Sequence, residues 1–559
     1  MSASKLQESG EVRIANSLHT NEKEFVARRR ESVFQSLQKL KIHCSQDDVP
    51  NIALLGSGGG QRAMVGLLGS LIELDKVGLL DCILYLSGVS GSTWCMASLY
   101  KEPDWSTKLD TVKDKIIKRL SGPKVSQGDA FEKLKKYHMK DNFTLTDVWA
   151  AMVITENVKE IDELPLTDHW DPLSKDPFPI YTAIDNQCKQ EEGGDPWFEI
   201  SPQEAGYSLT GAFVETSSFG SQFDKGSKKK PQPEMDMLYL QALCGSALAE
   251  KDTIRKFLWE KIKDFLQHVT STVERDMSEE MKTDPKNTLV YKCYQVLMGL
   301  VDMNLSVLNG KDSFDLDQSI IDTLKELGGE KSHLTFLGQK NNFDEKQAAI
   351  LHVKEFTEQI CKDLNWFHSE TLDLSKRILT CMHHWIWGRN YNFLHKITDQ
   401  SVPSALLKSE TRDYEDAGLL LNSPYFSVLR EERQVDLIIS LDFSEGDPFM
   451  SVTDTHKLCE ELNIPFPEVN IPSEDLKKPK DFYVFKGKNA PTVIHIPLLN
   501  VVNCGDKLET YRDKYRTFQL PYTHDNITEL MELAGQNILN NKEKLKKQIG
   551  DAVQKKTKE

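Results

Sequence analysis

No apolar run in the 559 residues is long enough to span a bilayer. The opening Met1-Ser2-Ala3-Ser4-Lys5 lacks the apolar region of a secretory signal. Ser2 stands where N-myristoylation requires glycine, and the closing Lys556-Thr557-Lys558-Glu559 is no prenylation box. The ten cysteines are scattered, with no C-x-x-C and no tight Cys/His cluster. They read as reduced thiols of a cytoplasmic protein. His383-His384 is the only adjacent histidine pair, and H-E-x-x-H does not occur, so neither metal nor cofactor is expected. Acidic residues outnumber basic ones, 85 to 69, giving a net charge of −16. That argues against nucleic-acid binding but leaves room for local basic patches facing anionic lipid.

What is present centres on 49–94. Ile52 to Leu55 reads as a buried strand of an α/β sheet. Gly56-Ser57-Gly58-Gly59-Gly60-Gln61-Arg62 follows, then helical spacing from Ala63 to Leu74. A strand, a glycine turn and a helix start leave backbone N–H groups aimed at one spot. A P-loop would need Lys and Ser or Thr after the last glycine, where Gln61-Arg62-Ala63 stands. The dinucleotide pattern G-x-G-x-x-A is matched, but no acidic residue clearly ends the second strand. Cys82 to Leu86 is a second strand, and Ser90 follows in Gly88-Val89-Ser90-Gly91-Ser92. A sharp turn between small residues exposes a serine Oγ, so this reads as a nucleophile elbow after an oxyanion loop. Ser92 is the alternative nucleophile.

A serine hydroxyl needs a group to take its proton. A triad would draw on His456, His495 or His524, none in a distinctive setting. A dyad would use a carboxylate, and Asp416-Ala417-Gly418, before an apolar run, is the best candidate. A partly apolar site would raise its proton affinity.

Elsewhere, 22–40 is an amphipathic helix carrying Arg28-Arg29-Arg30. Pro177 to Asn186, Leu437 to Phe443 and Val493 to Leu499 read as strands, 206–221 as irregular, and Lys228-Lys229-Lys230 as a polar loop. Asp252 to Leu374 is charged and helical, with loops at Asn309-Gly310 and Gly328-Gly329, and reads as an insertion capping the site. Trp385 and Trp387 read as packing residues, and 527–549 as a terminal helix.

Gly-Ser-Gly-Gly-Gly-x-Arg-Ala, then Gly-Val-Ser-Gly-Ser-Thr-Trp, then Asp-Ala-Gly and Leu-Ile-Ile-Ser-x-Asp-Phe-Ser, together resemble the cytosolic phospholipase A2 family (group IV). The motifs keep the family's order across about 20–545. The resemblance implies a patatin-like three-layer α/β fold with a central mixed sheet flanked by helices. It implies one catalytic domain over 1–559, with a core at 20–222 and 375–545 and a helical cap or lid at 223–374. Ser90 would be the nucleophile, Asp416 the base, and Gly58, Gly59 and Gly60 the oxyanion loop. Arg62, and Arg433 or the nearby Arg430, match arginines implicated in activity and would bind substrate. The family's calcium-binding C2 domain is not seen, which implies calcium-independent hydrolysis of membrane glycerophospholipids and lysophospholipids. Lysophospholipid transacylation, or an inactive lipid-surface protein, are the alternatives. Without a lipid anchor, reversible binding to membranes would run through Arg28–Arg30, Lys228–Lys230 and the C-terminal lysines.

Overall fold

The structure, a computed structural model, describes residues 12–190, 194–247, 251–276, 285–311, 314–327, 346–364, 369–518 and 521–558. The loop expected at Gly328-Gly329 lies outside them. In chain order the elements used below are α1 (Thr20–Lys39), β1 (Ile52–Gly56), α2 (Gly60–Lys76), β2 (Tyr85–Gly88), α3 (Gly91–Tyr100) and β3 (Phe178–Asp185). Five long helices follow: α4 (Lys251–Asp276), α5 (Pro285–Leu308), α6 (Phe314–Glu326), α7 (Lys346–Asp363) and α8 (Glu370–His384). Then come β4 (Thr411–Asp416), β5 (Leu437–Asp442), β6 (Thr492–Pro497), α9 (His524–Asn540) and α10 (Lys542–Lys558).

The chain divides into two compact units. The first holds the chain up to Lys124, Val153–Leu248 and Gly388–Glu559; the second holds Val125–Met152 and Ala249–Trp387. The second unit differs in extent from the insertion expected at 223–374. It takes in 125–152 and runs on to Trp387, while 223–247 stays with the first.

The first unit is built on a mixed sheet with a parallel centre, in the order β3, β2, β1, β5, β6. β1 and β5 are buried at every position, as strands covered on both faces must be. Beyond β3 the sheet continues antiparallel through Trp197–Ile200, Glu204–Tyr207, Ala212–Glu215 and Val12–Ile14. Two of these strands fall in or overlap 206–221, which the sequence reads as irregular. Their burial, not their Gly/Ser/Thr-rich composition, selects the strand. Ser227–Lys230 likewise pairs with Gln222–Asp224 and is no open loop. The terminal helix is two, α9 and α10, meeting at Asn541.

The register of β3 places the site. Along one edge, its first half pairs with β2, which ends at Gly88 opposite Tyr181. Its second half pairs with β4, which brings Asp416 opposite Ala183. The chain leaving β2 and the end of β4 therefore meet on the same edge.

The second unit is a helical assembly with its own core, including Leu258, Ile262, Leu297, Leu300, Phe356 and Ile378. Trp387 is buried there, with its ring 5.7 Å from Trp149 and 5.5 Å from Trp385. Among the described residues no helix is long and apolar enough to cross a membrane.

Candidate active site

β1 runs into α2 through Ser57-Gly58-Gly59. Gly59 has φ +154°, a conformation open to glycine and strained for other residues. The turn is tied from several sides. Gly58 N–H donates to the Asn422 carbonyl at 3.0 Å, and Asn422 Nδ2 donates back to the Gly58 carbonyl at 3.1 Å. The Phe443 N–H donates to Ser57 Oγ at 2.7 Å. Gly59 and Gly60 stand at the N-cap and first position of α2. Their N–H groups have no acceptor within the helix and donate no hydrogen bond to a described residue. Two such donors at a helix start suit a developing negative charge.

Ser90 has φ +52° and ψ −121°, which non-glycine residues hold only under constraint. The constraint is the glycine loop. A Cβ on Gly91 would lie 1.9 Å from the Gly60 carbonyl oxygen, so only glycine allows this approach. Ser92 Oγ donates to the Ser57 carbonyl at 2.6 Å and fastens the elbow to the loop. Ser92 is thus engaged. Ser90 Oγ, by contrast, is buried and makes no hydrogen bond of ordinary geometry.

The Asp416 carboxyl is fully buried. It accepts N–H bonds from Gly418 at 2.8 Å and from Ala247 at 3.1 Å. The Ala247 segment follows Met237–Cys244, anchored where Trp94 Nε1 of α3 donates to the Gln241 carbonyl at 3.0 Å. Burial pushes the Asp416 pKa up to about 7. The two N–H groups and the nearby Ser90 hydroxyl pull it down without cancelling that rise. The Ser90 hydroxyl therefore lies beside the Asp416 carboxyl, short of an ordinary hydrogen bond.

The histidines are placed otherwise. His495 Nε2 faces the Pro448 carbonyl at 2.6 Å, and burial pushes its pKa down to about 4. His524 starts the exposed end of α9 beside Asp525, and His456 is half-buried on Met450–Leu462. None is hydrogen-bonded to Ser90.

Residues 52–292 match the family model of the lysophospholipase catalytic domain. Over 97% of its length the chain is 33% identical to cytosolic phospholipase A2 gamma of Homo sapiens, covering 96% of that protein. It is 32% identical to the Mus musculus protein of the same name, covering 94% of this chain and 90% of that one. The chain belongs to the cytosolic phospholipase A2 family. The solved structure of human GIVD cytosolic phospholipase A2 shares the fold, with a TM-score of 0.67 at 21% identity over 98% of this chain and 67% of that one.

Two arginines expected to bind substrate in this phospholipase A2 domain are placed elsewhere or otherwise used. Arg433 spends all five N–H groups inside the protein, on Glu22, Glu199 and the Ser427 carbonyl. Its guanidinium lies over the Tyr85 ring at 5.5 Å. Tyr85 and Glu199 are in register with Phe178 and Thr182 of β3, and Asp416 with Ala183. Strand side chains alternate between faces, so Arg433 works on the opposite face of the sheet from Asp416. Its expected substrate role gives way to a structural one. Arg430, the alternative, is also buried and bonded to Glu199 at 2.9 Å. Arg62 is nearer the loop but buried, donating to the Phe443 and Tyr515 carbonyls at 2.7 Å and to Thr517 Oγ1 at 2.9 Å. It braces the glycine loop against two later segments, and a phosphate-facing role has little of its fork left.

Asn422 was not singled out from sequence. Its Nδ2 also donates to Ser444 Oγ at 2.8 Å, and Ser444 Oγ donates to Asp442, so it links the glycine loop to the end of β5. The Arg28–Arg30 patch is also reduced. Arg29 is buried on the Ile83 and Lys175 carbonyls, Arg30 donates to the Val49 carbonyl and Arg28 to that of Pro172. Among the described residues, Glu358, His383 and His384 of the second unit bring metal-ligand atoms within 4.8 Å of one another. The Lys362 ammonium already occupies that carboxylate at 2.7 Å.

Proposed function

We propose that the chain hydrolyses fatty acyl esters of glycerophospholipids and lysophospholipids through a Ser90–Asp416 dyad, without calcium. The observation that carries this reading is a serine on a strained backbone, its hydroxyl in no ordinary hydrogen bond, beside a carboxyl whose pKa is raised to about 7. Asp416 takes the Ser90 proton as Oγ attacks the ester carbonyl. The Gly59 and Gly60 N–H groups hold the tetrahedral oxyanion; one such donor contributes about 3–4 kcal/mol. The lysophospholipid or glycerophosphodiester leaves with the proton from Asp416. Water, deprotonated by the same carboxylate, then clears the acyl-serine. Nucleophile, base and oxyanion donors are all protein atoms, so no step calls on calcium. The names of the relatives, and the family's domain, supply the substrate class. Its lipid surface is met reversibly, from the cytoplasmic side.

The test is hydrolysis of phosphatidylcholine vesicles, labelled separately on each chain, in the presence of chelator. Lysophospholipid release by the natural protein, lost in Ser90→Ala and Asp416→Asn, is the expected result. Release that requires calcium would overturn the calcium-independent part. Release that survives Asp416→Asn would overturn the dyad.

A further inference from the structure

The second unit contains a cavity of about 450 Å³ that the chemistry at Ser90 does not use. Sites for small ligands run from roughly 300 to 1,000 Å³. Its walls are apolar where Trp259 of α4, Val307 and Leu308 of α5 and Met382 of α8 line it. Leu351 of α7, also on the lining, is 55% exposed, so an apolar side chain stands in water at its rim.

Against these walls stand cations. Lys354 of α7 is half-buried, and its ammonium makes no hydrogen bond or ion pair among the described residues. A half-exposed ammonium with no protein partner keeps its water and stays open to an anion. Glu358, one turn along the same helix, is not available to it, because Lys362 and His383 each hold that carboxylate at 2.7 Å. His383, on the cavity wall, is itself committed on both ring nitrogens, to Glu358 and to the Lys354 carbonyl at 2.9 Å. Arg255 of α4 also lines the cavity, with its guanidinium 4.9 Å from the Trp385 ring centroid and in a long, exposed ion pair with Asp252 at 3.6 Å, which leaves N–H groups for a second anion. The cavity therefore joins a place for an acyl chain to two cationic donors.

We propose that it binds a free long-chain fatty acid, with the carboxylate on Lys354 and Arg255 and the chain along Trp259, Val307, Leu308 and Met382. A lysophosphatidylcholine head carries a choline cation beside its phosphate and so has no net charge to set against these two cations, which favours the simple carboxylate. The site stands on its own lining and does not depend on the Ser90–Asp416 reading.

The test uses the full chain and a fatty acid carrying a photoreactive diazirine near its methyl end. Cross-linked peptides are mapped by mass spectrometry, and the probe is competed with oleate, methyl oleate and lysophosphatidylcholine. Cross-links should fall in α5, α7 or α8 around Val307, Leu351 and Met382. Oleate should bind roughly tenfold more weakly to Lys354→Glu, as loss of a charge-assisted bond implies, and Lys354→Arg should restore it. Ala348→Trp, which fills the lining, should weaken binding comparably. Methyl oleate and lysophosphatidylcholine should compete poorly. Cross-links confined to the Ser90 region would overturn the proposal, as would unchanged oleate binding by Lys354→Glu and Ala348→Trp. Equal competition by methyl oleate would overturn the role of the cations, and equal competition by lysophosphatidylcholine the choice of a simple carboxylate. Circular dichroism and thermal unfolding identify variants that fold. If Lys354→Glu does not, Lys354→Gln and the map on the natural chain decide.

Discussion

Two buried carboxylates flank β3 in the same unit, and their surroundings drive them in opposite directions. Burial raises the proton affinity of both Glu199 and Asp416. Around Glu199 the Arg433 and Arg430 guanidiniums more than offset that, and its pKa falls below the usual carboxylate range. Around Asp416 no cation among the described residues does so, and its pKa climbs to about 7. One face of the sheet spends its charges in a closed network of Glu22, Glu199, Arg430 and Arg433. The other leaves a carboxyl and a hydroxyl under-bonded at the sheet's edge. The closed cluster holds the fold together. The open one holds a carboxyl whose raised proton affinity suits the base proposed for Ser90.

Neutralising each cluster in turn separates these roles. Ser90→Ala and Asp416→Asn should each lower kcat by about 10⁴-fold or more while the protein stays folded, as the loss of a nucleophile or its base does elsewhere. Phosphatidylcholine hydrolysis with parallel unfolding curves reads both. Arg433→Met should do the reverse. It strands Glu22 and leaves Glu199 with Arg430 alone, and breaking a buried pair from one side costs about 3–5 kcal/mol. The urea midpoint should drop accordingly, while the folded fraction still reacts at Ser90 with a fluorophosphonate. Lost labelling in protein that remains folded would return Arg433 to the active site.

The contrast also has a pH signature. As the proposed base, Asp416 must be ionised to accept a proton, so kcat/KM should rise about tenfold per pH unit below pH 7 and level off above it. The stability term runs the other way. The folded pKa, about 7, lies above the ordinary 3.8, so the folded state holds the proton more tightly. That contribution is complete below about pH 4 and is lost as the pH rises through 7. Asp416→Asn should therefore be more stable than the natural protein at pH 8, by at least about 1 kcal/mol, though inactive. Asp442 is also pushed up to about 7, so Asp442→Asn is the control that assigns the titration.

Much of this end of the molecule was legible in the sequence because it is local. Gly58-Gly59-Gly60, the small residues around Ser90 and the Asp416-Ala417-Gly418 turn are short motifs whose geometry follows from their own residue types. The bulky runs of β1, β3 and β5 likewise announce buried strands. The misreadings share a non-local cause. Arg433 lies seventeen positions beyond Asp416 in the chain, but only the alternation across β3 shows that the two serve opposite faces. Arg29 belongs to a run that looks solvated until the Ile83 carbonyl is found against it. The strand Ala212–Glu215 is selected by its neighbours on both sides. The 125–152 segment joins the second unit through partners more than a hundred residues away.

Asn422 tests how far the open cluster depends on its support. It touches neither Ser90 nor Asp416 by any described hydrogen bond, yet holds Gly58 by both its carbonyl and its Nδ2. Asn422→Ala removes the side-chain tie only. The expected result is a fall in kcat of roughly 10- to 100-fold with KM little changed, the pattern of a misaligned oxyanion donor. A loss confined to KM would make Asn422 a substrate contact instead. The smallest effect should come from the histidines. If Asp416 is the base, His456→Gln and His524→Gln should each stay within about twofold of natural activity. His495 sits buried against Pro448, so His495→Gln should cost stability first and should keep its turnover per folded molecule. A collapse of turnover in any folded histidine variant would give the proton to a histidine and leave the raised carboxyl of Asp416 without a task.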